Sequence, residues 1–192
     1  IEFTVAMLSL NMISVITLIA GYQHSAYRNY RGEMDALTGI MGRRIFLNLC
    51  ERAQKHFDTQ KCAHGWFLIL DVDCFKAIND TLGHAVGDTV LKKVAFLLEK
   101  NFRDCAVCGR MGGDEFAAAL FFKPGTPDSV LVNRAQQIYD SINLALKGAD
   151  GRTGISMGAA IARPDTGFSQ LYEQSDQALY RAKEGGRSRL SF

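Results

Sequence analysis

The sequence predicts an α+β domain in which helices flank a sheet with an antiparallel component. Helical apolar spacing alternates along the chain with short apolar runs of strand length, so helices separate most of the strands. Two strands follow each other across a glycine turn, which predicts a β-hairpin. Of the 192 residues, 47% are hydrophobic and 22% are charged, which is typical of a folded domain and excludes a disordered chain.

The first half of the domain is predicted to contain two helices and one buried strand. Residues 43–57 carry apolar side chains at helical spacing. Residues 66–71, with the sequence WFLILD, form a continuous apolar run that ends in an acid, which favours a buried strand. Residues 88–102 place apolar side chains on one helical face and charged side chains on the other.

The second half contains the hairpin and the remaining elements. They are predicted as strands over 106–110 and 115–122, a helix over 130–146, a strand over 154–162, a helix over 168–184 and a closing strand over 189–192. Apolar residues three and four apart predict the helices, and short apolar runs bounded by glycine or polar residues predict the strands.

Charge and cysteine content limit the functional classes. Lys and Arg number 22 and Asp and Glu number 20, so a net charge of +2 gives no reason to expect nucleic-acid binding through bulk charge. The 5 cysteines are an odd number, which indicates reduced thiols of a cytosolic domain and not a disulfide framework.

The first 27 residues differ from the rest of the chain. Residues 3–27 contain no Asp, Glu, Lys or Arg, and the apolar run over 3–21 has the length of a membrane-spanning helix. Arginines follow it (Arg28, Arg31, Arg43 and Arg44), which predicts a cytoplasmic location for that side. We therefore expect a transmembrane or signalling helix over 1–27, a linker over 28–40 and a folded α+β domain over 41–192.

A second interpretation of this segment stays open. Thr4, Asn11 and Ser14 share one helical face, so a soluble helix used in dimerisation is the alternative to a membrane span. A cleaved signal peptide is less consistent with the sequence, because it has no basic start and no small-residue cleavage site. The chain begins at Ile1 and not at a methionine, from which we expect a fragment of a longer protein.

Four acids stand close to predicted strand ends. Asp71 ends the first strand and Asp73 follows it, while Asp114 and Glu115 lie in the glycine turn MGGDEF. If the first strand lies beside the hairpin, these four acids converge and need a cation or raised pKa values. Hard oxygen ligands of this kind suit Mg²⁺. The alternative is a solvated acidic turn, which the preceding apolar strands make less favourable.

The motifs together resemble the GGDEF family of diguanylate cyclases. The segments that carry the resemblance are MGGDEF (111–116), DALTGIMGRR (35–44), DVDCFKAINDTLGHAVGD (71–88), ISMGAA (155–160) and SDQALYRAKEGGRSRL (175–190). The resemblance implies a nucleotidyl-cyclase or polymerase-palm-like (ferredoxin-like) central antiparallel sheet, flanked by helices and preceded by the N-terminal hydrophobic helix.

The resemblance also implies an activity and a cellular setting. Two GTP molecules would be condensed to cyclic di-GMP and two pyrophosphates, each 3′-hydroxyl attacking the α-phosphate of the other nucleotide across a homodimer. Receptors of cyclic di-GMP would be the downstream partners, with no nucleic acid. The chain would be held in the bacterial inner membrane through residues 3–21, with the catalytic domain in the cytoplasm.

Catalytic and metal roles follow from the matched motifs. Asp71, Asp114 and the carbonyl of Val72 would bind Mg²⁺, with Mn²⁺ as a possible substitute. Asp114 and Glu115 would be the catalytic acids, Glu115 helping to deprotonate the 3′-hydroxyl. An alternative for Glu115 is a supporting negative charge, because a metal-bound hydroxyl needs no strong base.

Substrate contacts follow in the same way. Asn79 and Asp88 would recognise guanine, although Asp88 is also a candidate N-cap of the following helix. The backbone around Phe75 would cradle phosphates, and the phosphate-binding cations would be Lys76, Lys183 and Arg187. The alternative for Lys183 and Arg187 is stabilisation of a helix C-terminus.

The chain departs from the family pattern at two places. In the Arg-x-x-Asp product-feedback site Arg103 is present, but Ala106 stands at the Asp position, so the inhibitory site is incomplete and we expect weak product inhibition. Gly42 stands where the family usually has Asn. Three other functions stay open: a GTP-binding regulator without turnover, a cyclase for another nucleotide and a membrane-tethered interaction domain.

Overall fold

A mixed six-stranded sheet lies at the centre of the residues that the computed structural model describes, which are 34–59, 64–102, 106–122, 126–150, 153–163 and 166–192. The elements in chain order are β1 Met41–Gly42, α1 Arg43–Thr59, β2 His64–Val72, α2 Phe75–Leu82, α3 His84–Phe102, β3 Ala106–Gly112, β4 Glu115–Phe122, α4 Asp128–Asp150, β5 Ile155–Ala162, α5 Phe168–Glu184 and β6 Leu190–Ser191. The strand order across the sheet is β1-β3-β4-β2-β5-β6.

The sheet is antiparallel in its centre and parallel at its edges. Strand β2 pairs antiparallel with both β4 and β5, and β3 pairs antiparallel with β4. The two-residue strands β1 and β6 pair parallel with β3 and β5. The expected antiparallel sheet is therefore correct for the four central strands and wrong for the whole sheet. Helices lie in the connections from β1 to β3 and from β5 to β6. Parallel pairing needs such long crossover connections.

The alternating side chains of β2 divide the core into two layers. Trp66, Leu68 and Leu70 are buried on the face that packs against α3 and α4. Phe67 and Ile69 are buried on the opposite face, against residues of α1 and α5. The sheet is thus covered on both faces, which explains why β2 reads as a continuous apolar run.

An aromatic cluster fixes α5 against the sheet. The ring of Phe67 lies 5.9 Å from the ring of Phe46, 5.4 Å from that of Phe168 and 5.6 Å from that of Tyr172, measured between centroids. Truncation of such a buried ring costs about 3–5 kcal/mol of stability. The cluster matters for the site because the C-terminal end of α5 carries Lys183.

The predicted elements mostly recur, with informative differences at α2 and α3. Helix α5 has the predicted bounds, 168–184. The sequence pattern does not predict α2, an eight-residue helix with no buried residue, because its apolar stripe is too short to show. Helix α3 begins at His84, so Asp88 lies inside it, and the N-cap role that the sequence left open for Asp88 is wrong.

The predicted N-terminal helix over 1–27 and residues 28–33 of the linker predicted over 28–40 lie outside the described residues. Among the helices that are described, none has both the length and the apolar character required to cross a membrane. The membrane span over 3–21 stays a prediction from the sequence.

Candidate active site

Two neighbouring strands bring acids together at one edge of the sheet. Asp71 and Glu115 are direct cross-strand partners in the antiparallel pair of β2 and β4. The backbone N–H of Val72 donates to the carbonyl oxygen of Asp114 across 3.3 Å, which joins the end of β2 to the hairpin turn. Directly opposed side chains of an antiparallel pair share one face. The first strand therefore lies beside the hairpin, which is the condition on which the predicted convergence of the acids depends.

The hairpin turn takes a shape that only glycine adopts readily. Gly112 has φ 142° and Gly113 has φ 54°, both in the region that a Cβ disfavours. The pairing of β3 with β4 also shifts register between Arg110 and Gly112. This irregular turn leaves Asp114 and Glu115 half-buried at the sheet end, next to the buried Asp71.

Arg110 stabilises the hairpin turn through hydrogen bonds to its backbone. Its Nε and Nη2 donate to the carbonyl oxygen of Gly113 at 3.0 and 2.7 Å, and its Nη1 donates to Oδ1 of Asp35 at 3.0 Å. Asp35 also accepts hydrogen bonds from the backbone N–H and the hydroxyl of Thr38. The turn that bears Asp114 is thus tied through Arg110 to Asp35, in the segment that enters the domain.

The charge of Asp35 is stabilised by these contacts. Burial tends to raise its pKa, but the hydrogen bonds from Thr38 and Arg110 and the guanidinium charge outweigh burial and hold the pKa below its usual range. Sequence reasoning missed Arg110, although an arginine within an otherwise uncharged strand was a visible indication of a buried charge partner.

Asp71 is the most constrained acid of the site. Its side chain is 12% exposed, and its Oδ2 accepts from Nζ of Lys183 across 2.8 Å. Burial raises the pKa of Asp71, the ammonium of Lys183 lowers it, and the charges of Asp114 and Glu115 raise it again, so that the pKa lies above its ordinary value. The three acids therefore interact electrostatically, and the structure places Lys183 beside them, while its predicted phosphate contact stays a prediction.

Asp73 does not join this cluster, so the expected convergence of four acids is wrong. Its carboxylate accepts hydrogen bonds from the hydroxyl groups of Ser156 and Ser188 and from the backbone N–H of Ser188. Burial, with the charges of Asp73 and Asp140, raises the pKa of Tyr139 on α4 to about 12. Beyond the end of β2, the strand alternation that keeps Asp71 facing Glu115 no longer applies.

The predicted guanine-binding residues lie on two packed helices. Asn79 and Phe75 are half-buried on α2, and Asp88 is exposed on α3. A Cβ on Gly87 would lie 2.0 Å from Oδ1 of Asn79 and 3.2 Å from Cζ of Phe75. Gly87 therefore permits the close approach of these side chains to the residue before Asp88, a role that sequence reasoning missed.

The remaining predicted contacts are solvent-accessible. Lys76 is exposed in the first turn of α2, just after the left-handed Cys74. Arg187 is exposed beyond the end of α5 and has φ 62°. These positions are accessible to a polyanion, whereas Asp71 at the end of β2 is largely buried.

The acids of the site could supply part of the coordination shell of a cation, and a bound phosphate would supply more of it. In the described part of the chain no group of three or more His, Cys, Asp or Glu side chains is placed to hold a metal by itself. The carboxylate of Asp71 instead forms an ion pair with the ammonium group of Lys183 and lies opposite Glu115. This position therefore already attracts a positive charge. Mg²⁺ usually takes one or two carboxylates and completes its shell with phosphate and water, which this donor set allows.

The family model described as "Diguanylate cyclase, GGDEF domain" matches residues 32–189. The chain belongs to this GGDEF-domain family. Diguanylate cyclase DosC of Escherichia coli K12 is 33% identical over 177 residues, which make up 92% of this chain and 38% of that protein. Diguanylate cyclase DgcZ of the same strain is 32% identical over 164 residues, 84% of this chain and 54% of that protein.

The fold of this GGDEF domain also matches solved structures. The coiled coil and GGDEF domain of DgcB from Caulobacter crescentus, in complex with c-di-GMP, has a TM-score of 0.74 at 26% identity and covers 97% of each chain. The chain spans 38% of DosC and 54% of DgcZ, so it corresponds to about half or less of each of these relatives.

The product-feedback position that the sequence predicted falls at the edge of the described residues. Arg103 lies outside them, and Ala106 is the first residue of β3. Weak product inhibition stays a prediction from the sequence. Cys108 on β3 packs against the core, and Cys105, three residues before it, lies outside the described residues.

Proposed function

We propose that this GGDEF domain is a diguanylate cyclase that condenses two GTP molecules to cyclic di-GMP with release of two pyrophosphates. The observation that carries the proposal is the pairing of Asp71 with Glu115 across β2 and β4, with Asp114 in the adjoining turn and Lys183 bonded to Asp71. The relatives named diguanylate cyclases support the same activity.

The acids form the catalytic end of the site. Asp71, Asp114 and the Val72 carbonyl would hold Mg²⁺, or Mn²⁺ in its place. The bound ion supplies charge neutralisation for the triphosphate and acidifies the attacking hydroxyl. Glu115 lies opposite Asp71 and accepts the 3′-hydroxyl proton, or supports its loss by its negative charge. Each 3′-oxygen forms a bond to the α-phosphorus of the other nucleotide as the α–β phosphoanhydride bond breaks.

Binding contacts determine the alignment and the choice of base. Asn79 and Asp88 present an amide and a carboxylate that match the N1 and N2 edge of guanine, and adenine lacks that donor pattern. Lys183, Lys76 and Arg187 neutralise the triphosphate, and the backbone around Phe75 adds N–H donors. Phosphoryl transfer depends mainly on such positioning and charge stabilisation.

A single domain of this kind holds one nucleotide, so turnover requires two copies face to face. We therefore propose a homodimer, with cyclic di-GMP receptors as downstream partners. We also propose that residues 3–21 anchor the chain in the bacterial inner membrane with this domain in the cytoplasm, from the apolar run and the arginines that follow it.

The test is product identification with the full chain, GTP and Mg²⁺ over a range of protein concentrations. We expect cyclic di-GMP and pyrophosphate, with a rate per protomer that rises with concentration. Asp114→Ala is expected to lower turnover by about a hundredfold or more. Asp140→Asn, on the exposed face of α4, is the matched control and should keep full activity.

The other functions give different outcomes of the same experiment. Binding of GTP without any cyclic product supports a regulator, and a product from another nucleotide supports a cyclase of different specificity. A flat calorimetric titration with GTP and Mg²⁺ supports an interaction domain. Undiminished turnover of Asp114→Ala contradicts the catalytic assignment.

A further inference from the structure

The carboxylate of Asp73 connects three distant segments of the chain. Its Oδ1 accepts from the hydroxyl of Ser156 at 2.6 Å, and its Oδ2 accepts from the backbone N–H and the hydroxyl of Ser188 at 2.9 and 3.0 Å. Asp73 is 8% exposed, so these three bonds satisfy a charged group that is removed from water. None of these residues takes part in the proposed chemistry.

The segment that Asp73 holds has an unfavourable backbone conformation. Arg187 has φ 62° and Ser188 has φ 46°, so two consecutive residues with side chains lie in the left-handed region. Such residues persist only where their surroundings hold them. The N–H of Arg187 donates to the carbonyl of Ala182 at 3.0 Å before the turn, and the carbonyl of Arg189 accepts from Met157 at 2.9 Å after it. Between these bonds, Asp73 holds Ser188.

The two aspartates at the end of β2 hold both ends of one short segment. Asp71 is bonded to Lys183 at 2.8 Å, and Asp73 is bonded to Ser188. Lys183 and Arg187, the two candidate phosphate-binding cations of this segment, therefore lie at or between two points that are fixed to the same strand end. A cation on a strained exposed turn loses less conformational freedom on binding when the turn is already ordered.

We propose that Asp73 is a positioning residue that holds the Arg187–Ser188 turn in the conformation in which Arg187 binds the triphosphate. This inference rests on the proposed function, in which Arg187 contacts GTP. Asp73 does not touch the substrate and acts through Ser188 on its neighbour Arg187. The effect of Asp73 on substrate binding must therefore depend on the presence of Arg187.

A double-mutant cycle tests this dependence. The binding of a non-hydrolysable GTP analogue with Mg²⁺ is measured by calorimetry for the full chain and for Asp73→Asn, Arg187→Ala and the double variant. Asp73→Asn should weaken binding about tenfold in the wild-type background and less than about twofold in the Arg187→Ala background. Asp140→Asn, which removes an exposed carboxylate of α4, is the matched control and should bind like the wild type.

A second variant keeps the test valid if Asp73→Asn does not fold. Ser188→Ala removes only the hydroxyl bond and keeps the backbone N–H bond to Asp73, so a smaller loss, again absent in the Arg187→Ala background, is expected. Amide hydrogen exchange over residues 185–192 without nucleotide should be faster in Asp73→Asn than in the wild type. A merely structural role predicts equal losses in both backgrounds.

The outcomes separate the inference from the function on which it rests. Wild-type affinity in Asp73→Asn and Ser188→Ala, or losses that simply add to that of Arg187→Ala, overturn the positioning role while the proposed function stands. If the wild-type chain itself binds no GTP analogue, the proposed function and the role of Asp73 fall together.

Discussion

Lys183 donates from its ammonium group to Oδ2 of Asp71 across 2.8 Å, so the end of helix α5 is bonded to the end of strand β2 at the candidate active site. The ammonium of Lys183 thereby compensates the charge of Asp71, although Asp114 and Glu115 lie close enough to raise its pKa. The same carboxylate is the proposed metal ligand, and the same lysine is a proposed phosphate ligand. An ammonium and a divalent cation compete for Asp71 unless a triphosphate draws Lys183 away.

Replacement of Lys183 by Met is therefore expected to affect metal and nucleotide in opposite directions. Without the competing ammonium, Mn²⁺ alone should bind the nucleotide-free protein about tenfold more tightly. The GTP analogue with Mg²⁺ should bind about tenfold more weakly, because a charged phosphate contact is lost. Electron paramagnetic resonance of free Mn²⁺ measures the first effect and calorimetry the second.

Lys92→Met is the control for this prediction, because Lys92 is exposed on α3 and its replacement removes the same charge elsewhere. It should leave both affinities unchanged. Mn²⁺ binding that stays the same or weakens in Lys183→Met contradicts the competition.

Gly87→Ala tests the packing that brings Asn79 to the start of α3. The new Cβ would lie 2.0 Å from Oδ1 of Asn79, so the amide must move. We expect GTP affinity to fall about tenfold, because the displaced amide of Asn79 can no longer make its proposed hydrogen bonds to guanine. Thermal stability should change little, because alanine favours a helix more than glycine does and offsets part of the steric cost. Nucleotide titration and thermal unfolding give the two readouts.

Gly167→Ala provides the matched control for Gly87→Ala. Gly167 has φ −63°, and a Cβ there would meet no atom within 4 Å. This variant should bind GTP like the wild type. Unchanged GTP affinity in Gly87→Ala would remove the support that Gly87 gives to the guanine site.

The pairing of Asp71 with Glu115 could be predicted from sequence, whereas the position of Asp73 could not. An apolar run ending in an acid and a glycine turn bearing two acids both indicate strand ends, and the pairing of such strands places the acids together. The direction of Asp73 depends on Ser156 and Ser188, which follow it by 83 and 115 positions. No local pattern contains such long-range partners.

The same distinction separates helix α5 from helix α2. Helix α5 buries a full stripe of apolar residues, and its period was sufficient to give its bounds. Helix α2 buries no residue, so its sequence shows no apolar stripe from which the helix could be predicted. It also begins after Cys74, whose left-handed backbone conformation the sequence does not indicate. The role of Arg110 could not be predicted, because it depends on contacts with both Asp35 and the carbonyl group of Gly113.

Asp35→Asn should destabilise the domain in a pH-dependent manner. The hydrogen bonds and charge that outweigh burial depress the folded-state pKa of Asp35 below the ordinary value of 3.8. Its contribution is therefore fully present above pH 3.8 and is lost as the pH falls through the lower folded-state pKa. We expect a loss of about 1–3 kcal/mol in the free energy of unfolding near neutral pH, and a smaller difference from the wild type in acid.

Urea denaturation at neutral and acidic pH measures this difference. Asp176→Asn removes an exposed carboxylate on α5 and should match the wild type at each pH. A difference between Asp35→Asn and the wild type that grows as the pH falls would have the wrong sign for a depressed pKa.

Alkylation of Cys74 tests the proposed phosphate cradle between β2 and α2. Cys74 is exposed and precedes Phe75, the first residue of α2. Burial raises the pKa of Cys50, and burial with the charge of Glu99 raises that of Cys108 to about 12, so neither forms the reactive thiolate readily. Iodoacetamide should therefore modify Cys74 ahead of these two, and the added group should obstruct the backbone N–H groups that receive phosphate.

We expect the modified chain to bind the GTP analogue at least about tenfold more weakly, and the analogue with Mg²⁺ to slow modification of Cys74. Peptide mapping by mass spectrometry assigns the modified cysteine, which separates Cys74 from Cys62 and Cys105, outside the described residues. Cys74→Ser should keep its nucleotide affinity after the same treatment. Full affinity of a chain modified at Cys74 would mean that the phosphates lie away from the N-terminus of α2.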